Sequence, residues 1–146
     1  MIRNLLTQLG LGRSAPNDPE FPVSFAALLV QIARADGRYS QDEMDNIDRI
    51  LVRHQGIGPF EAAELRRKAE ILESESSDSV RFTRSIKKAI PIEQRSAVME
   101  ALWAIALTDG QRDPEENSFM RMATGLLGLT DVQNAEARQR AERIKE

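Results

Sequence analysis

Asp36-Gly37-Arg38-Tyr39-Ser40-Gln41-Asp42-Glu43 decides the fold, because a second version of it, Asp109-Gly110-Gln111-Arg112-Asp113-Pro114-Glu115-Glu116, follows 73 residues on. Before the first copy, Phe21, Val23, Phe25, Ala26, Leu28, Leu29, Ile32 and Ala33 occupy nearly all sides of one segment. A helix apolar almost all round belongs in the middle of a bundle. Gly37 breaks it, since glycine most easily takes the left-handed conformation that follows a helix end. Ser40 with Glu43 three residues later forms a capping box, so the next helix starts near Gln41. Its core stripe is Met44, Ile47, Ile50 and Leu51, in a three-and-four spacing. Each acidic turn thus joins a buried helix to an amphipathic one.

Outward from these turns the pattern stays helical. Gly56 to Pro59 ends one helix and begins another, with Pro59 suited to the first helical position, and this helix runs to about Glu73 through Phe60, Ala63 and Leu72. Ser74 to Ser79 is a polar loop between the halves. Phe82, Ile86, Ala89 and Ile90 give the next helix its stripe, and Pro91 punctuates it. A second apolar helix carries Ala97, Val98, Leu102, Trp103, Ile105 and Ala106 up to Gly110. Beyond the second turn Asp113 is the cap, Pro114 takes the first helical position, and Phe119, Met120, Ala123, Leu126 and Leu127 form the buried face. Thr130 with Gln133 starts a final polar helix with another capping box. No alternating strand pattern survives. The expectation is an all-α fold, a single bundle of seven to eight short helices.

The repeat reaches past the turns. After one deleted residue the spacing becomes 72, so that Gly56 meets Gly128, Arg66 meets Arg138, and Ala69-Glu70 meets Ala141-Glu142. An internal pseudo-twofold repeat is the natural arrangement, and it would bring the two acidic turns near each other. Residues 1–20 read as an N-terminal amphipathic helix and a linker marked by Pro16 and Pro19. Residues 21–146 read as the helical domain.

Composition narrows the function. A net charge of −3 offers no general attraction to nucleic acid. The absence of cysteine removes disulfides, thiolate nucleophiles and zinc ribbons, and it fits a cytoplasmic location. No apolar run approaches the roughly 20 residues of a membrane span. Membrane association would come only through the N-terminal helix or a partner.

Asp36 and Asp109 each end an apolar helix, where a carboxylate meets the negative end of the helix dipole. The same unfavourable choice at two equivalent positions asks for a positive partner. A hard divalent cation, Ca²⁺ or Mg²⁺, suits oxygen ligands of this kind. Glu43 and Glu116 return one turn into the following helix, and Asp42, Asp113 and Glu115 add charge or ligands. The spacing is not an EF-hand, whose loop alternates oxygens over about 12 residues with glycine sixth. The other reading is metal-free: Glu43 and Glu116 stand where capping alone explains a glutamate, and Asp36 and Asp109 accept turn N–H groups.

Ala35 to Glu43, together with the second Thr108-Asp109-Gly110 copy, resembles the tellurite-resistance TerB-like family, which also includes the N-terminal region of a membrane-anchored DnaJ-type co-chaperone. The resemblance covers Phe21 to Ala141. It implies a helical bundle with an acidic divalent-metal site at Asp36, Glu43, Asp109 and Glu116, and a role tied to stress and tellurite resistance. Ser40 stands where the second copy has Asp113, so the half-sites differ in charge. A J-domain His-Pro-Asp tripeptide is missing, which removes direct co-chaperone activity.

The remaining candidates are weaker. His54, the only histidine, sits near a helix C-terminus where its charged form is favoured, and reads as structural. Trp103 reads as core. Arg81, Arg84, Lys87 and Lys88 form a basic, solvated face. No nucleophile sits beside a plausible base, so catalysis is not expected. The function expected is therefore a non-catalytic module that binds a divalent cation and modulates an unknown protein partner. The alternative is a metal-free interaction module whose acidic turns are only helix caps.

Overall fold

The structure, a computed structural model, describes residues 19–35, 37–76, 78–108 and 114–145, with side chains in the last stretch over 117–143. The expected N-terminal helix, Met1 to Gly12, lies outside the described residues. Among the described residues seven helices follow one another: α1 (Phe21–Arg34), α2 (Gln41–Gln55), α3 (Pro59–Glu75), α4 (Ser79–Ala89), α5 (Ile92–Ala106), α6 (Pro114–Leu126) and α7 (Asp131–Lys145). No strand occurs among the described residues, and the fold is all-α. No described helix is long and apolar enough to cross a membrane.

α1 is the axle. Every residue from Ser24 to Val30 is buried, as are Ile32 and Ala33, and α2, α3, α4 and α5 all pack against it. Each of its fully buried Leu, Ile, Val or Phe side chains contributes about 1.5–3 kcal/mol. α5 is the second apolar rod, burying Val98, Met99, Leu102, Trp103 and Ile105, and it lies between α1 and α7. The capping box of α2 forms as expected: the Glu43 N–H donates to Ser40 Oγ, and Ser40 N–H donates to Glu43 Oε1. Thr130 and Gln133 make the equivalent pair of bonds ahead of α7.

The inner face of α3 corrects the sequence reading. Phe60 is 68% exposed, and the buried positions are Ala62, Arg66, Ala69 and Glu73. Pro59 fixes where the helix begins, and steps of four, three and four residues then turn these side chains inward and Phe60 outward. The two alanines permit close approach to α1. The two charged residues between them need partners, and these define the candidate site. Smaller departures follow the same logic: Ala89 and Ala97 are exposed, and Met44, Phe119 and Leu126 are half-buried at the edges of their stripes.

The halves match in part. Gly56 and Gly128 both take left-handed φ, 65° and 75°. Ile47 and Ile50 of α2 are buried like Met120 and Ala123 at the 73-residue spacing. Around them the packing differs, because a cavity of about 690 Å³ lined by Trp103, Met120, Arg121 and Arg138 opens among α5, α6 and α7.

The charge state expected of His54 is a second correction. Its ring lies half-buried, 5.9 Å from the Phe25 ring. Burial lowers its pKa, against the pull of Glu100 and with the help of Arg53. The helix terminus favours the charged form, but desolvation outweighs it. The folded value lies below the unfolded 6.5, so the folded state prefers the neutral ring. Stability is full above that pH and falls as acidification carries the solution down towards the folded value. Urea midpoints of the wild type and His54→Gln should therefore diverge between about pH 7 and about pH 5, the wild type losing more.

Candidate functional site

The first acidic turn is held from three sides. Gly37 occupies a left-handed φ of 82°, and its N–H donates to the Arg34 carbonyl at 2.9 Å. Asp36 lies outside the described residues. Past the glycine comes Ser40, extended and the N-cap of α2, and Tyr39 before it is half-buried.

Tyr39 enters an ionic network that the sequence reading missed. Its hydroxyl donates to Glu70 Oε2 on α3. Arg66 donates to the same oxygen at 2.9 Å and grips Asp48 of α2 with Nε at 2.7 Å and a second nitrogen at 3.4 Å. Arg34, at the end of α1, donates to Glu73 at 2.6 Å while its guanidinium lies over the Tyr39 ring, 4.8 Å from the centroid. One network therefore joins the end of α1, the turn, α2 and α3. The signal in the sequence was the pair Arg66 and Glu70, four apart, with Arg66 and Glu73 spaced among Ala62 and Ala69 on the face that α1 covers.

The electrostatics follow from burial. Burial and the Glu70 carboxylate hold the Tyr39 hydroxyl well above the ordinary phenol range. Burial works against the charge of Arg66, but its bonds to Asp48 and Glu70 more than offset this and raise its pKa. Tyr39 is the only tyrosine, so its titration can be read directly. Phenolate absorbance at alkaline pH should appear well above the usual value in the folded protein, and return to about 10 in urea. The sign follows: with the folded value raised, this contribution to stability is present below pH 10 and is lost above it.

Of the expected ligands, Asp42 and Glu43 are described. Asp42 is exposed and Glu43 half-buried, with Oε1 already accepting from Ser40. Asp109 and Asp113 lie outside the described residues, as does the Glu116 side chain, whose backbone is in α6. Among the described residues no three acidic or histidine side chains cluster closely enough to hold an ion.

A contact between the halves bears on that. Asn46, one turn beyond Glu43 on α2, donates from its amide to Thr108 Oγ, and this hydroxyl donates to the Ala104 carbonyl at 2.8 Å. Thr108 immediately precedes Asp109. Thr108, the last described residue before the second acidic stretch, is thus fixed beside α2.

A solved structure similar to this one is that of a protein of unknown function from Porphyromonas gingivalis W83, with a TM-score of 0.62 and 21% identity, over 91% of this chain and 98% of that one. At that identity the likeness concerns the fold. Comparison with curated proteins gives no match. The family described as tellurite resistance protein TerB matches residues 23–139, most of the chain and both turns, and the protein belongs to that family.

Proposed function

We propose that the protein is a non-catalytic, cytoplasmic module of a tellurite-resistance-related system that binds a divalent cation, Ca²⁺ or Mg²⁺ foremost. The ligands come from both turns: Asp36, Asp42 and Glu43 from the first, Asp109, Asp113 and Glu116 from the second. The observation that carries this reading is the Asn46–Thr108 hydrogen bond, which ties the residue before Asp109 to a residue one helical turn beyond Glu43. Hard cations take carboxylate and carbonyl oxygens, which these turns supply. An ion shared between them would join the two units of a pseudo-twofold repeat and stiffen the surface offered to a protein partner. The Tyr39 network supports the reading by fixing one turn in advance, which lowers the ordering entropy of binding.

One observation favours the metal-free alternative: the Glu43 carboxylate is engaged as a helix cap. The readings separate in a titration of the chelator-stripped protein with Ca²⁺, Mg²⁺, Mn²⁺ and Zn²⁺. An ion at 100 times its Kd adds about 2.7 kcal/mol, a rise of roughly 5–10 °C in the thermal midpoint of a domain this size. The rise should saturate and vanish in Asp36→Asn/Asp109→Asn. A flat response to all four ions leaves the interaction module with capped turns.

A further inference from the structure

We propose that a pit between α2, α5 and α7 binds an aliphatic carboxylate. Arg49 and Arg53 would hold the carboxylate, and the tail would lie on Ile50, Ala104, Leu107 and Ala141. The pit measures about 310 Å³, at the lower end of the range for small-molecule sites, which limits the occupant to one short chain. Ile50 and Ala141 are buried, and Ala104 and Leu107 half-buried, so the floor is carbon.

The mouth has the opposite character. Arg49 and Arg53 stand one turn apart on the same face of α2, a spacing at which like charges repel. Both are exposed, and neither makes an ion pair among the described residues. No described acidic side chain lines the pit. Arg49 is also aimed: Thr108 orients the Asn46 amide, and Asn46 Oδ1 accepts from the Arg49 guanidinium at 3.4 Å. That chain of bonds uses one Arg49 donor and leaves its others, and those of Arg53, for a ligand.

Each half of the pit excludes an alternative. A bare oxyanion would satisfy the arginines and leave the carbon floor wet. An uncharged hydrocarbon would cover the floor and leave the two guanidinium groups to water, gaining nothing from them. A carboxylate matches the planar guanidinium fork, and an attached aliphatic chain matches the floor. The site uses none of the proposed cation ligands, although it shares the Asn46–Thr108 hydrogen bond with that reading.

The test titrates the full chain with octanoate below its micellar range, read by calorimetry and by amide shifts in ¹H–¹⁵N spectra. Acetate, the head without a tail, and octylammonium, the tail with the opposite head, are run in parallel. Octanoate should saturate and move amides around residues 49–53 and 104–108. Acetate and octylammonium should bind about tenfold more weakly or worse. Arg49→Gln/Arg53→Gln should weaken octanoate by about tenfold or more with an unchanged thermal midpoint, since both side chains are exposed. The proposal is overturned if octanoate does not bind at millimolar concentration, if either control matches it, or if the double variant binds like the wild type.

Discussion

Arg66→Met is expected to cost about 3 kcal/mol of unfolding free energy, read as a lower urea midpoint with an unchanged slope. The guanidinium is among the few charged groups buried in the fold, 9% exposed, and it is gripped by Asp48 and Glu70. Methionine fills similar volume, so the loss is electrostatic more than a cavity. Two carboxylates that shared a cation are left close together and partly out of water, and removing one partner of such a group costs more than the group contributes net. Arg66→Lys keeps the charge but not the fork that reaches both acids, and should fall between the two. The damage should also reach the turn. Glu70 Oε2 receives both Arg66 and Tyr39, so amide exchange over residues 37–40 should rise in Arg66→Met more than in α5. Equal change everywhere would mean that the network stabilises the bundle without bracing the turn.

This network also marks where the sequence was legible and where it was not. Helix starts were readable because caps are local: Ser40 with Glu43, Pro59, and Thr130 with Gln133 each act within one turn, and each forms as read. The apolar rods α1 and α5 were readable because burial on nearly all sides leaves no ambiguity of face. α3 was not. Its inward face alternates alanine with Arg66 and Glu73, so a hydrophobicity pattern points to Phe60 while the packing chooses the small residues. Partners such as Asp48 for Arg66 and Glu73 for Arg34 lie 18 and 39 residues away, and only the fold pairs them. The charge state of His54 was misjudged for a related reason: the helix terminus is visible in the sequence, whereas the Phe25 ring that packs on it is not. Asp42 and Glu43 were legible as an acidic turn. Tyr39, between them and Gly37, gave no sign that its hydroxyl reaches α3.

Trp103→Ala should have the largest effect, about 3–5 kcal/mol, against a total stability of about 5–15 kcal/mol for a domain of this kind. The side chain is 4% exposed, and its loss opens a void beside a cavity that already exists. Trp103 also anchors α7. Its indole N–H donates to Asn134 at 2.8 Å, and the Arg138 guanidinium lies 5.2 Å from its ring centre. Ala137 and Ala141 are its buried side chains among the described residues, and Arg140 pairs with Glu100 of α5 at 3.6 Å. The indole bond and its packing help fasten α7 to α5, so the loss should be local before it is global. Amide exchange over residues 131–143 should accelerate in Trp103→Ala well beyond that of α1. Trp103→Phe keeps most of the packing and loses the indole bond, so it should cost about 1 kcal/mol. If α7 stays as protected as α1 in the alanine variant, the helix is fastened by something other than Trp103, and the anchoring role assigned to this side chain is wrong.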